Sequence, residues 1–365
     1  MEQSHDFIKQ FGEQVRQCSR CGFCQAYCPV FGATLRPALN ARGKMLILQE
    51  VMEGALPLSG ALAESLYQCT TCASCSVNCR SGVKVPEIVK LARRDLVRSG
   101  IEHPVFQALR GVLAEGDNIY AETRPVDQGR PRRKKAEVVF FLGCVGLFRQ
   151  PAAATAALDL LDHLKVDYTM IDEACCGGVL EDLGYNLNPR LVEQNVEAIL
   201  ATGARTVLTG CPYCLRTFRE RAEYKPLRDR GLNLLPLSRF WQDFDFGVKS
   251  DLKVTYHDPC DLGRHGGFYD EPRQVIKKIA PDFVEMAHCR VNALCCGAGG
   301  GVKGAYPKNS LAMARRRLEE AEAVGAQVVL TECNSCLHNL ASAKRVRQKF
   351  KVMTLAQFIN HLRQA

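Results

Sequence analysis

The chain of 365 residues is 47% hydrophobic and 24% charged, as expected for a folded protein with two or three domains. Its net charge of +9 does not indicate nucleic-acid binding, because the basic residues are scattered and no nucleic-acid motif is present. The first residues do not form a secretory signal, and no stretch is long and apolar enough to span a bilayer. We therefore expect a cytoplasmic protein with no direct membrane span, held at a membrane only through a partner subunit. Most of its 19 cysteines are then reduced metal ligands.

The N-terminal segment contains the run Cys-x2-Cys-x2-Cys-x3-Cys twice, a spacing that resembles the ligand runs of bacterial ferredoxins with two [4Fe-4S] clusters. The members are Cys18, Cys21, Cys24 and Cys28, followed by Cys69, Cys72, Cys75 and Cys79. A zinc ribbon needs only two Cys-x2-Cys pairs, so zinc fits this pattern poorly. We predict two cubane [4Fe-4S] clusters, with the fourth ligand of each run bound to the other run's cluster. Cys79 is followed by Arg80 instead of proline, which changes the local turn more than the ligation.

Apolar residues between and after these runs recur at helical spacing. One predicted helix contains Leu46, Ile47 and Val51, and another begins near Pro86 and stops at Gly100. Because compact β-rich ferredoxins have a much shorter spacing between the runs, residues 1–115 resemble instead the helical ferredoxin domain of fumarate reductase and its relatives. The polar, proline-containing residues 116–136 are the best candidate for a linker.

From residue 137 onward the sequence repeats itself. Each copy has an apolar strand before a cysteine, then a Cys-Cys-Gly segment, then a helix, a short strand and Cys-x2-Cys. This order predicts two tandem α/β domains with small parallel sheets, over 137–248 and 249–365, in a protein that is α+β overall. Ligands of such sheets bind beyond the carboxyl ends of the strands, where the cysteines are placed.

Each repeat carries five cysteines. They are Cys144, Cys175, Cys176, Cys211 and Cys214 in the first repeat, and Cys260, Cys295, Cys296, Cys333 and Cys336 in the second. An adjacent pair cannot easily direct both thiolates at one tetrahedral zinc, whereas the flanking glycines let the backbone approach something larger. Five thiolates therefore favour an iron–sulfur assembly. The alternative, buried free cysteines that pack as small apolar groups, is improbable for a duplicated pattern.

These motifs together resemble the CCG-domain proteins, typified by the catalytic subunit of heterodisulfide reductase, with the ferredoxin part fused to it. The same architecture occurs in iron–sulfur subunits of glycolate and lactate oxidases and of anaerobic glycerol-3-phosphate dehydrogenase. The resemblance implies two noncubane [4Fe-4S] clusters that face one another and cleave a disulfide, and all ten matching positions are cysteine here.

The chain lacks GxGxxG after an early strand and lacks a P-loop, so we expect no flavin in this chain. A flavoprotein subunit or a ferredoxin would then be the electron donor or acceptor in a hetero-oligomeric complex. The main hypothesis is a heterodisulfide reductase-like redox subunit. Two alternatives remain: electron transfer alone, for a flavin-dependent 2-hydroxy acid oxidase or glycerol-3-phosphate dehydrogenase, and, remotely, a non-redox metal-binding scaffold.

Three further observations complete the candidate site. His257 and His265 lie near Cys260 in the sequence and are candidate catalytic residues, as proton donors or as hydrogen-bond donors to sulfur. Cys289 falls outside every motif and is interpreted as a spare buried thiol. The trio Arg315, Arg316 and Arg317 precedes several glutamates and is interpreted as a charged helical face.

Overall fold

The computed structural model describes residues 6–123, 130, 132 and 135–364. The predicted linker over 116–136 therefore lies partly outside the described residues. An all-helical N-terminal part is followed by two units that each carry a small parallel sheet, which confirms the predicted α+β class. Among the helices in these ranges, none combines the length and the apolar character needed to cross a membrane.

The N-terminal part consists of helices joined by short loops that carry the cysteines. In chain order the helices are α1 (Asp6–Lys9), α2 (Gly12–Gln17), α3 (Phe23–Tyr27), α4 (Pro29–Thr34), α5 (Ala41–Met52), α6 (Gly60–Tyr67), α7 (Ser74–Val77), α8 (Val85–Arg98) and α9 (Pro104–Glu115), with a 3₁₀ turn over Pro37–Leu39. The apolar face of α8, with Ile88, Val89 and Leu96, is fully buried against its neighbours. The helices predicted from apolar spacing are thus present as α5 and α8.

The first repeat forms a four-stranded parallel sheet of order β2-β1-β3-β4. Its elements are β1 (Val138–Phe141), α10 (Cys144–Phe148), α11 (Pro151–His163), β2 (Tyr168–Thr169), α12 (Gly178–Asp182), α13 (Pro189–Ala201), β3 (Thr206–Thr209), α14 (Pro212–Glu220), a 3₁₀ turn (Ala222–Tyr224), α15 (Lys225–Asp229), β4 (Asn233–Pro236) and α16 (Leu237–Trp241). Every residue of β1 is buried, as in parallel strands covered by helices on both faces.

The second repeat forms a three-stranded parallel sheet of order β5-β6-β7. Its elements are β5 (Val254–Tyr256), α17 (Asp270–Ile279), a 3₁₀ turn (Arg290–Asn292), α18 (Val302–Ala305), α19 (Pro307–Ala323), β6 (Val328–Thr331), α20 (Asn334–Ala343), β7 (Lys351–Thr354) and α21 (Leu355–Gln364). Its parallel strands, like those of the first repeat, were predicted from the sequence.

The two repeats share one apolar core. Phe140 and Leu208 of the first repeat belong to the same buried cluster as Tyr256, Leu330 and Phe358 of the second. Asn360 Nδ2 also donates to the carbonyl of Ala156 across the two repeats, at 2.8 Å. This packing holds the sheets as one body and fixes the positions of the loops that follow the strands.

Candidate metal centres

The ferredoxin-type cysteines form two neighbouring sets. The Cys24 thiol has Cys18, Cys21 and Cys79 as its electrostatic neighbours. The Cys75 thiol has Cys69, Cys72, Cys28 and Cys24 as its neighbours. The first ferredoxin set is thus Cys18, Cys21, Cys24 and Cys79, and the second ferredoxin set is Cys69, Cys72, Cys75 and Cys28. Each set contains three cysteines of one run and the fourth cysteine of the other run. Cys24 also lies within reach of the second set.

The donor chemistry of these sets fits bound iron. Burial raises the pKa of Cys28 to about 11, and burial followed by the nearby Cys69 and Cys72 raises the pKa of Cys75 well above its ordinary value. Such thiols stay protonated unless a cation stabilises their thiolates. Buried Lys44 is also close to Cys69 and Cys28. The convergence of Cys69, Cys72, Cys75 and Cys28 on one place, with Lys44 beside them, fits thiolate ligation of a cluster.

The cysteines of the first repeat converge on one region, here called the first CCG set. Cys144 Sγ lies 3.7 Å from Cys175 Sγ. Cys214 is in side-chain contact with Cys176 and Cys211, and these three are more than nine-tenths buried. Gly143, with φ +79°, lets the chain pass, because a Cβ there would lie 3.2 Å from Cys214 Sγ.

The corresponding cysteines of the second repeat form the second CCG set. Cys295 contacts both Cys260 and its neighbour Cys296, and Cys336 contacts both Cys296 and Cys333. All 19 cysteines of the protein lie among the described residues, and none of them forms a disulfide. In both sets, the Cys-x2-Cys segment begins at the residue that precedes a helix, α14 at Cys211 and α20 at Cys333. The positive end of a helix stabilises a thiolate at this position.

Two direct contacts join the cysteine sets to one another. The side chains of Cys211 and Cys333 lie close enough to interact, so the two CCG sets meet. Cys72 of the ferredoxin part is in the same kind of contact with Cys295. The second ferredoxin set, the second CCG set and the first CCG set therefore form a continuous row inside the protein. Cys21, which is exposed, belongs to the set at the other end of the ferredoxin part.

The two candidate histidines have different surroundings. His257 is buried and interacts with Cys296 of the second CCG set. His265 Nε2 instead lies 3.0 Å from the backbone carbonyl of Thr71, which makes it a donor across the domain contact. Cys289 is half-buried near Glu285 and lies outside the cysteine sets described above.

A small group of basic residues lies beside Cys296 of the second CCG set. Lys303 is within electrostatic reach of Cys296 and donates to Asn339 Oδ1 at 2.8 Å. His338 is within reach of both Lys303 and Arg149, and its Nδ1 lies 3.2 Å from Gln150 Nε2. Burial lowers the pKa of His338, so Lys303, and not this imidazole, supplies the positive charge that a negatively charged ligand beside Cys296 would meet.

One sequence interpretation is wrong for part of the arginine trio. Arg317 is fully buried, and it donates to the ring of His257 instead of belonging to a solvated face. Helical spacing could have indicated this, because Arg317 follows the buried Met313 by four residues and precedes the buried Ala321 by four. Arg264 Nε donates to the carbonyl of Cys72 at 2.6 Å. No local pattern pointed to that contact between distant segments.

Comparison with known families agrees with this organisation. Residues 14–83 match the 4Fe-4S dicluster domain. Residues 138–219 and 254–341 each match the cysteine-rich domain called CCG. The chain is therefore an iron–sulfur protein that combines a dicluster ferredoxin domain with two cysteine-rich domains.

Full-length relatives identify the family. The chain is 31% identical to a dihydromethanophenazine:CoB–CoM heterodisulfide reductase subunit of Methanosarcina acetivorans, over 91% of this chain and 89% of that protein. It belongs to this family of heterodisulfide reductase-related iron–sulfur oxidoreductase subunits. It is also similar to a fumarate reductase (CoM/CoB) subunit of Methanothermobacter marburgensis, at 27% identity over 95% of this chain and 72% of that one. The glycolate oxidase iron-sulfur subunit of Escherichia coli is 24% identical over 91% of both chains.

A solved structure shares the fold. The crystal structure of a hypothetical protein from Helicobacter pylori superposes with a TM-score of 0.60, covering 98% of this chain and 76% of that one. At 10% sequence identity this likeness concerns the fold alone.

Proposed function

We propose that this protein is the redox subunit of a complex that reduces a disulfide or a related acceptor. Two cubane [4Fe-4S] clusters would be held by the ferredoxin sets, with Cys79 and Cys28 each completing the other run's set. Two noncubane [4Fe-4S] clusters would be held by the two CCG sets. When bound, these clusters supply one-electron carriers and a soft surface for sulfur chemistry.

The observation that carries the proposal is the contact of Cys211 with Cys333, which brings the two complete CCG sets together. A disulfide needs two electrons and two protons to give two thiols, R–S–S–R′ + 2 e⁻ + 2 H⁺ → RSH + R′SH. A pair of adjacent one-electron sites suits that stoichiometry. The ammonium group of Lys303, within electrostatic reach of Cys296, would favour an acceptor that carries negative charge.

The source of the electrons is another subunit. Exposed Cys21 marks the ferredoxin set nearest the surface, where a flavoprotein or a ferredoxin could dock. From there the contact of Cys72 with Cys295 gives a route to the second CCG set. The relatives named as subunits of heterodisulfide reductase and fumarate reductase support a hetero-oligomeric complex.

A second candidate function is electron transfer without bond cleavage. It is favoured by the 24% identity to the glycolate oxidase iron-sulfur subunit, which extends over 91% of both chains. In that case the partner would be a flavin-dependent oxidase of a 2-hydroxy acid, such as glycolate or lactate, or a glycerol-3-phosphate dehydrogenase. The two candidates differ in whether a thiol can reach the CCG sets.

The first experiment is iron and acid-labile sulfide analysis of the anaerobically purified protein. Four 4Fe clusters correspond to roughly sixteen irons per chain. Cys79→Ser should alter the paramagnetic signal of one ferredoxin site, whereas the matched change Cys289→Ser, outside the cysteine sets, should leave all signals in place. Zinc instead of iron would contradict the redox function altogether.

The second experiment separates the two candidate functions. We expect added thiols to change the paramagnetic spectrum of the oxidised wild-type protein, because a product thiol would bind where the CCG sets meet. Spectra that no thiol changes, in a protein with the full iron content, would favour electron transfer alone.

A further inference from the structure

His257 lies between a buried arginine and a cysteine of the second CCG set. Arg317 Nε donates to His257 Nδ1 at 3.1 Å. On the other side, His257 interacts with the Cys296 thiol, and a ring nitrogen of His257 lies within 4.8 Å of both Cys296 Sγ and Cys336 Sγ. His257 Nε2 makes no completed hydrogen bond among the described residues. The neighbouring atoms that could accept one are the sulfurs of Cys296 and Cys336.

The arginine fixes the tautomer of the imidazole. A guanidinium can only donate, so His257 Nδ1 must offer its lone pair and carry no proton. A neutral imidazole then carries its proton on Nε2, the nitrogen away from Arg317. Arg317 is itself held in place, because its Nη1 donates to the carbonyl of His288 at 2.5 Å and its Nη2 donates to the carbonyl of Tyr256 at 3.3 Å.

This tautomer distinguishes a hydrogen-bond donor from a metal ligand. To bind iron through Nε2, the ring would need a lone pair there and a proton on Nδ1. That proton would point at the N–H group of Arg317, which no hydrogen bond could accommodate. The arrangement therefore allows His257 to donate to sulfur and disfavours coordination of iron by its Nε2.

The first repeat has neither partner. Phe141 stands three residues before Cys144, as His257 stands three residues before Cys260. Asn195 stands eight residues before Gly203, as Arg317 stands eight residues before Gly325.

Cys176, the counterpart of Cys296 in the first repeat, therefore has no histidine at the position that corresponds to His257. The Phe141 ring packs on Phe218, with centroids 4.9 Å apart. Cys176 has the Thr217 hydroxyl at 3.8 Å, but that hydroxyl donates to the carbonyl of Tyr213 at 2.9 Å. The two CCG sets are thus alike in their cysteines and different in the groups that face one of their sulfurs.

We propose that His257 is a positioning residue whose Nε2–H donates to Cys296, and that this bond gives the cluster of the second CCG set a higher reduction potential than that of the first. A hydrogen bond to a ligand sulfur withdraws negative charge and favours the more reduced state. Electrons that arrive through the Cys72–Cys295 contact would then stay at the second set until the acceptor binds. The inference rests on the proposed function, because it requires a cluster in both CCG sets.

The test compares three substitutions of His257 in the full-length protein, purified anaerobically. His257→Phe copies the first repeat, and His257→Met also lacks a donor but is more flexible. His257→Gln can place an amide N–H near the original Nε2. We expect the first two variants to retain wild-type iron content and to shift one reduction potential to a more negative value in a spectroscopic redox titration. His257→Gln should restore most of that shift.

Three results would overturn the inference. One is a loss of iron in both His257→Phe and His257→Met, which would make His257 a ligand. Another is full iron with unchanged potentials, and the third is a shift that His257→Gln does not reverse. Nitrogen-sensitive pulsed resonance on protein with ¹⁵N-labelled histidine gives an independent readout, since a hydrogen-bonded imidazole couples weakly and a coordinated one strongly. Clusters missing from the wild-type CCG sets would instead contradict the proposed function.

Discussion

At the scale of single residues, Glu332 is a carboxylate buried beside the second CCG set. Burial raises its pKa from 4.5 to about 8. One of its oxygens accepts from the backbone N–H of Ser238, and the other has no hydrogen-bond partner among the described residues. It lines a small cavity with Trp241 and Asn334, and the first repeat has Gly210 at the corresponding position before its Cys-x2-Cys. A neutral carboxyl is therefore the stable form in this environment.

This burial predicts a pH dependence of stability. The folded-state pKa of Glu332 is raised, so its contribution is fully present below about 4.5 and is lost as the pH rises toward about 8. Each pKa unit corresponds to about 1.4 kcal/mol, so the loss is of the order of a few kcal/mol. Glu332→Gln keeps the acceptor for Ser238 and cannot ionise. We expect its melting temperature to exceed that of the wild type by an amount that grows between these pH limits.

The exposed Glu197→Gln on α13 is the matched control, since it removes one negative charge without altering a buried site. Anaerobic thermal unfolding followed by circular dichroism, across the pH range, gives the comparison. An advantage of Glu332→Gln that is the same at every pH would refute the account.

At the scale of elements, the glycine-rich loop before α18 packs against the ferredoxin part. Gly300 has φ +59°, and a Cβ there would lie 2.3 Å from the carbonyl oxygen of Cys69. A Cβ at Gly299 would lie 2.8 Å from the carbonyl oxygen of Thr70. These glycines let the second repeat come into backbone contact with the loop that carries the second ferredoxin run, close to the Cys72–Cys295 contact.

Gly300→Ala should therefore weaken this contact. The added methyl group introduces the strain of a left-handed backbone, about 1–2 kcal/mol. It also clashes with a backbone carbonyl, which cannot rotate away as a side chain can. Gly247→Ala is the matched control, because Gly247 has φ +64° and open space around its Cβ position. We expect Gly300→Ala to lower the melting temperature more than the control does and to slow electron transfer from the ferredoxin clusters to the CCG clusters in freeze-quench experiments. Equal behaviour of the two variants would show that the close approach is unimportant.

Much of the element-level organisation could be predicted from the sequence, because the relevant signals are local. The strand before Cys144 and the helix that became α8 follow directly from apolar runs and periodicity. The glycines that follow Cys295 and Cys296 were interpreted as making room for a bound group, since nothing in their own segment indicated Cys69 as a neighbour. Arg317 was wrongly assigned to a charged face, and Glu332 was not singled out, for a related reason. A buried charged group depends on partners such as His257 that come from other elements.

At the scale of the whole molecule, Arg93 joins all three domains. It is fully buried on α8 of the ferredoxin part. Its Nη1 donates to the carbonyls of Asp182 at 2.5 Å and Gly300 at 3.3 Å, one in each repeat. Its Nη2 donates to the carbonyls of Leu66 at 2.8 Å and Cys69 at 2.7 Å. A planar guanidinium satisfies these four acceptors from one position, which the single ammonium of lysine cannot do.

Arg93→Lys should for this reason destabilise the assembled protein although the charge is kept. Hydrogen bonds to charged groups contribute about 1.5–3 kcal/mol each, so the loss of one or two gives roughly 3 kcal/mol. Arg98→Lys, on the same helix, is the matched control: Arg98 is 57% exposed and pairs with Asp6 at 3.1 Å, an interaction of less than about 1 kcal/mol. We expect thermal unfolding under anaerobic conditions to show a clear decrease for Arg93→Lys and almost none for Arg98→Lys. If the two variants have the same unfolding midpoint, contacts other than those of Arg93 hold the three domains together.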